Sequence, residues 1–250
     1  MYDLIRLPIA TISLSLLTAF MPLESMKENS CVTDNAILGK GKNYKNISVA
    51  FKKNYDKIFS TWQLEKEGIS KEMFAFVMKG YDYLNMQHLI SNPQFISIVD
   101  FSKPSTQKRL YILDIETGEI LYHTYVAHGR NSGKLFANNF SNKNYSLESS
   151  LGFYVTSDTY FGKNGFSLRL EGCEKGLNDK ALNRGIVLHG ADYVSENFIQ
   201  KNGFLGRSHG CPAVPANLSK EIIETIKNGS CLFIYAPSKK YLKQSTIINS

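Results

Sequence analysis

The sequence predicts a mainly β domain with some α, preceded by a small helical segment. Three observations lead there. Apolar and aromatic residues recur at helical spacing between residues 47 and 92. After Asn92-Pro93 the pattern shifts to short runs rich in β-branched and aromatic residues, bounded by turn signals. One amphipathic helical pattern then returns just before a last apolar run. A chain of 250 residues holds one large domain, or one domain with a smaller appendage, and its 43% hydrophobic content suffices for a sizeable core.

In chain order, Arg6 precedes the apolar stretch Leu7–Phe20, which is short for a bilayer span but has the length of a signal-peptide core. Residues 1–23 are therefore read as a signal peptide and the protein as exported. Asp3 in the leading segment and the lack of an A-x-A site fit a rival reading, a short apolar helix packed on the domain. Residues 24–46, polar and carrying Gly39-Lys40-Gly41-Lys42, read as a linker. The helical lead-in spans 47–92. Phe51, Tyr55, Ile58 and Phe59 share one face, and Phe74, Val77, Met78, Tyr81 and Leu84 share another, with Ser70 marking the start of the second helix.

The strand-rich domain spans 93–237. Phe95–Phe101 and Arg109–Ile115 read as strands, Glu116-Thr117-Gly118-Glu119 as a hairpin turn, and Ile120–Ala127 as the returning strand. Gly129–Leu147 is a long polar loop, a type often functional in compact domains. Gly152–Ser157, Phe166–Leu170 and Gly185–Leu188 are further short strands. Leu218, Ile222, Ile223 and Ile226 line one helical face that Gly229 ends, and Cys231–Tyr235 closes the domain. Residues 238–250 read as a loose polar tail.

The formal charge is +7, but the basic residues are scattered, with no stripe of the kind nucleic acid requires. The four cysteines, Cys31, Cys173, Cys211 and Cys231, include no C-x-x-C pair, which argues against structural zinc and leaves the pairing of Cys31, Cys173 and Cys231 open.

Two segments carry chemistry. Val187-Leu188-His189-Gly190 puts a histidine at the end of an apolar strand, followed by a glycine read as flexible. Ser208-His209-Gly210-Cys211-Pro212 puts a cysteine in a tight turn. A thiol nucleophile needs a nearby base or cation and backbone N–H groups aimed at the developing oxyanion. A histidine titrating near neutrality supplies the first, and a glycine beside the nucleophile permits the second. A lone buried cysteine is usually an inert small hydrophobe, and a lone strand-end histidine is usually structural. The coincidence of turn and nucleophile favours Cys211 as an acyl-transfer nucleophile with His189 as base. Zinc on His189, His209 and Cys211 lacks a fourth ligand at motif spacing. A papain-like order fails because here the cysteine follows the histidine.

These residues resemble the signature of the L,D-transpeptidase (YkuD-like) family, in its murein L,D-transpeptidase catalytic domain branch, from about Ile69 to Ala236. The resemblance also rests on Asp100–Ser105, Val126–Gly133, Phe140–Asn142, Ser149–Gly152, Leu188–Val194 and Gly206–Val214. It implies a β-sandwich or barrel catalytic domain acting on peptidoglycan stem peptides in the periplasm or cell envelope, forming 3→3 cross-links. It implies no metal or organic cofactor, no nucleic-acid partner and no stable membrane span once the signal is removed. Oligomeric state stays open. By position, Cys211 would be the nucleophile and His189 the base, and the Gly190 carbonyl would orient the imidazole. Gly210 and Cys211 N–H groups would hold the oxyanion, and Ser208 and His209 would shape the turn. Many relatives place Asn or Arg two residues after the cysteine, where this chain has Ala213. Arg207, Arg130 and Arg184 are therefore candidates for the substrate carboxylate, since guanidinium pairs with carboxylate bidentately. Two alternatives share the sequence features: an L,D-carboxypeptidase trimming stem tetrapeptides, and a non-catalytic cell-wall-binding protein.

Overall fold

A computed structural model describes residues 55–250. The signal-peptide and linker readings, and the first part of the lead-in, lie outside the described residues. The chain runs through α1 (55–61), α2 (Lys71–Met86), β1 (Phe95–Asp100), β2 (Leu110–Asp114), β3 (Ile120–Thr124), β4 (Gly152–Gly162), β5 (Gly165–Gly172), β6 (Val187–Ala191), α3 (Glu196–Asn202), β7 (Ala213–Pro215), α4 (Ala216–Ile226), β8 (Cys231–Tyr235) and α5 (Lys239–Gln244).

All eight strands form one mixed sheet in the order β3-β2-β1-β8-β4-β5-β6-β7. Cys231–Tyr235, expected as the closing strand, is instead central, parallel to β1 and antiparallel to β4. Its five residues are all buried, as a strand covered on both faces requires. The sheet curls until its two edges almost meet. The chain leaves β3 at Thr124, short of the expected Ala127, and crosses to the far edge, where Ala127 bridges Ala213 of β7 and Gly129 bridges Ser208. The result is a nearly closed barrel rather than two stacked sheets. β7 went unread in the sequence because a three-residue strand ending in proline has no period to detect.

The lead-in is part of the same core. Ser70 caps α2 by accepting the Met73 N–H at 3.2 Å, and α2 buries Met73, Phe74, Val77, Tyr81 and Leu84 against β8 and its neighbours. Phe153 of β4 and Phe233 of β8 stack at 4.1 Å beneath it.

The tail expectation is corrected. Residues 238–250 carry α5 and bury Tyr241, Ile247 and Ile248. The anchor is Glu174, a carboxylate buried after β5. It accepts the Tyr241 hydroxyl at 2.9 Å and the Phe153 N–H at 2.8 Å, and also the Ser245 hydroxyl. The tail looked solvent-bound because its apolar residues are few and its anchor is an acid far off in sequence.

Candidate active site

The parallel pairing of β6 with β7 sets the geometry. His189 lies opposite Ala213, so the turn preceding β7, which carries Cys211, comes back beside the end of β6. The 22-residue gap between His189 and Cys211 is thereby closed by one strand pairing and the short α3 crossover.

The His189 imidazole is buried, and its Nδ1 lies 2.9 Å from the Gly190 carbonyl oxygen. A carbonyl only accepts, so Nδ1 carries the proton and Nε2 is left with its lone pair. Burial lowers the imidazole pKa below the usual range, partly opposed by that carbonyl, which keeps the resting ring neutral. Gly190 is required by space rather than by flexibility. A Cβ there would sit 2.5 Å from the Ser219 hydroxyl and 3.1 Å from Ala216 Cα, so α4 presses directly on it.

Cys211 is a free thiol, buried, with Sγ–H directed at the Gly185 carbonyl 3.6 Å away. Burial raises its pKa above that of an ordinary thiol. The Val187 N–H, the Arg184 charge and its own backbone N–H pull the other way. The turn around it is stapled by Ser208, whose hydroxyl donates to the Cys211 carbonyl at 2.6 Å and accepts the Gly210 N–H at 3.0 Å. The Gly210 N–H, expected at the oxyanion, is thus taken by Ser208, while the Cys211 N–H stays beside the sulfur. Gly210 has φ 125°, a conformation that a side-chain-bearing residue adopts only with strain. His209 does not brace the turn; its side chain is exposed on the cleft.

Residues 65–235 match the L,D-transpeptidase catalytic domain family. The chain belongs to that family. Among solved structures it is similar to an L,D-transpeptidase from Mycobacterium smegmatis (12% identity, 57% of this chain and 59% of that one, TM-score 0.36). It is also similar to one from Stackebrandtia nassauensis (14% identity, 66% and 67%, TM-score 0.35). A third is L,D-transpeptidase 3 from Mycobacterium tuberculosis (9% identity, 57% and 61%, TM-score 0.36). The matched region thus spans 59% of the length of the first of these proteins. No curated protein sequence matches the chain.

Within this L,D-transpeptidase domain the three candidate arginines separate. Arg184 is committed to the long loop, donating to the Ser141 carbonyl at 2.7 Å, the Glu148 carbonyl at 2.5 Å and the Ser150 and Ser146 hydroxyls at 3.1 and 3.3 Å. It braces the loop beside Gly210. Arg130 and Arg207 both line an open cleft with Gly206 and His209 of the cysteine turn, which Arg184 does not line.

Three further residues organise the site: Ser149 and His128, which lie in segments that carry the family resemblance, and Arg109, the first residue of an expected strand. Ser149 accepts the Gly129 N–H at 3.0 Å and donates to the Gly210 carbonyl at 3.1 Å, coupling the long loop to the cysteine turn. His128 accepts from Arg109 Nη2 at 2.8 Å through Nδ1, and its Nε2 faces the Gly133 carbonyl at 3.3 Å. Burial first, and the Arg109 charge second, lower its pKa to about 3, so this histidine is a neutral connector. Arg109, fully buried, also holds the Val126 carbonyl through Nε and Nη2 at 3.0 and 2.8 Å, fixing the strap that closes the barrel. The only sequence signal for Arg109 was a charge at the start of an otherwise apolar strand. Among the described residues no group of three or more His, Cys, Asp or Glu side chains is arranged to hold a metal ion.

Proposed function

We propose that this protein is a peptidoglycan L,D-transpeptidase that forms 3→3 cross-links through a thioester on Cys211, with His189 as base. The observation that carries the reading is the tautomer of His189. Its Nδ1–H is committed to Gly190, which leaves Nε2 as the basic nitrogen on the strand beside the cysteine turn.

Rotation about the Cys211 Cα–Cβ bond swings Sγ–H away from Gly185, and His189 Nε2 takes the proton. The thiolate attacks the carbonyl of the third residue of a stem tetrapeptide, and the oxygen gains charge beside the Cys211 N–H. The C–N bond breaks, His189 returns the proton to the departing D-alanine amine, and the acyl group remains as a thioester. The side-chain amine of a neighbouring stem then attacks, His189 collects its proton, and the thiol is restored. Water in place of that amine gives the carboxypeptidase outcome.

Such a substrate lies outside the cytoplasm. The reading therefore includes export to the periplasm or cell envelope, with residues 1–23 as signal peptide, 24–46 as linker and 93–237 as the catalytic unit. Among the described residues no helix is long and apolar enough to cross a membrane. The test is incubation with purified tetrapeptide muropeptides and mass analysis of the products. Cross-linked dimers short of one D-alanine support transpeptidation, and trimmed monomers alone support the hydrolase. Unchanged turnover in Cys211→Ala would sink the thioester. A wall-binding protein without turnover would give neither product in any variant.

A further inference from the structure

The cleft beside the cysteine turn holds two guanidinium groups and no carboxylate. Arg130, Arg207, Tyr193, Phe198, Phe204 and His209 surround about 460 Å³ of open space. Arg207 is held in place there, donating to the Arg130 and Gly133 carbonyls at 3.3 and 3.2 Å, with its guanidinium 5.4 Å from the centre of the Phe204 ring. Arg130 is fixed through its backbone, its N–H donating to the Ser208 carbonyl at 2.8 Å, while its guanidinium is exposed. Among the described residues that guanidinium makes no hydrogen bond, and the ion pairs Lys71–Asp56, Lys103–Asp100 and Lys227–Glu224 lie elsewhere. Two like charges in one cleft repel, and an anion between them turns the repulsion into attraction.

The cleft adjoins the thiol. Gly206, Arg207 and His209 line it and run directly into Cys211. Tyr193, another lining residue, has its hydroxyl pKa pushed up to about 12 by burial and by the negative charge of ionised Cys211, as befits a ring near the sulfur. Ala213 lies two residues past the thiol. It is fully buried, paired with His189 on one side and bridged to Ala127 on the other, so nothing from that position reaches a substrate.

We propose that Arg130 and Arg207 form a carboxylate clamp for the free C-terminal carboxylate of the residue that leaves the acyl donor. This rests on the acyl-transfer reading above. In such a donor the terminal carboxylate lies one residue from the scissile carbonyl, about 3.8 Å along the chain. That matches a cleft whose wall continues into the nucleophile. The planar forks suit a carboxylate, and the Phe204 face stiffens one of them before the ligand arrives.

The test measures binding and turnover separately. In a Cys211→Ala background, calorimetry compares a stem tetrapeptide with a free C-terminus against the same peptide as its C-terminal amide. The acid binds roughly 10- to 100-fold more tightly, the preference weakens with salt, and Arg130→Gln with Arg207→Gln abolishes it. Arg130→Gln alone, at an exposed side chain that supports nothing else, removes roughly 3- to 10-fold. Equal binding of acid and amide, or a preference surviving in the double variant, overturns the clamp. Turnover by the wild-type chain with no acid preference overturns the clamp and leaves the reaction standing. Carboxylate-dependent binding without turnover on any stem peptide does the reverse.

Discussion

Arg184→Met is the sharpest perturbation of the loop that roofs the thiol. Methionine keeps most of the apolar stem and removes every donor, so the variant isolates the guanidinium. Four hydrogen bonds disappear, to the carbonyls of Ser141 and Glu148 and the hydroxyls of Ser146 and Ser150. A charge-assisted hydrogen bond contributes about 1.5–3 kcal/mol, which would sum to roughly 6–12 kcal/mol if the four were independent and dry. They are neither. One planar group makes all four, and Arg184 is half-buried, so water replaces part of what is lost. A cost of about 2–4 kcal/mol follows, which for a domain of this size lowers Tm by roughly 5–15 °C. The chemistry shifts too, because the Arg184 charge is one of the groups holding the Cys211 thiol down against burial. The iodoacetamide alkylation profile of Cys211 therefore moves to higher pH in Arg184→Met, whereas Arg184→Lys, keeping the charge, moves it less. A Tm within 1–2 °C of wild type, with an unmoved profile, would refute both the bracing role and the electrostatic one.

Three further outcomes are expected. Because burial raises the Cys211 thiol above an ordinary thiol and lowers His189, both groups rest neutral around pH 7. Alkylation of the free enzyme then keeps rising past the pH where an unstructured thiol peptide has levelled off, and a plateau below neutrality would contradict this. His128, lowered to about 3, refuses a proton that the unfolded chain accepts below about 6.5, so its contribution is complete above that pH and declines by up to about 1.4 kcal/mol per pH unit on acidification. The gap in urea midpoint between wild type and His128→Gln therefore narrows from pH 7 to pH 4, and a constant gap excludes this linkage. Glu174→Gln leaves one acceptor for the three donors now converging on the carboxylate and costs about 1–3 kcal/mol. Limited proteolysis then clips residues 239–250 well before the barrel; simultaneous loss of both would show that the tail is not separately anchored.

What the sequence discloses and what it hides divide along a physical line. β1, β2, β4 and β8 were legible because each is a run of apolar residues whose period is intrinsic to the segment. So were α2, with its Ser70 cap, and α4, with its apolar face. Cys211 and His189 stood out as candidates because the nucleophile and base proposed for them must be particular residue types, and the glycines beside them mark unusual backbone. Information that resides in pairs was not legible. β7 exists only because β6 and Ala127 flank it, and α5 is ordered by an acid more than sixty residues away.

The same distinction explains why the long loop could be flagged but not interpreted. Its serines look like ordinary polar filler, yet Ser149 joins Gly129 to Gly210, and Ser132 Oγ accepts the Ser149 N–H at 2.9 Å. These hydroxyls let irregular backbone be buried beside the thiol without orphaned polar groups. Arg109 and His128 do the same for the strap. A fully buried guanidinium is tolerated because carbonyls of Lys103 and Val126 and the neutral His128 ring take its protons, and because its charge sits near Asp100. The strap so held carries Arg130 to the cleft, and the loop so held presents Gly210 to Cys211. The polar interior that sequence patterning could not read is therefore the part that sets where the thiol and the two cleft guanidiniums stand relative to each other.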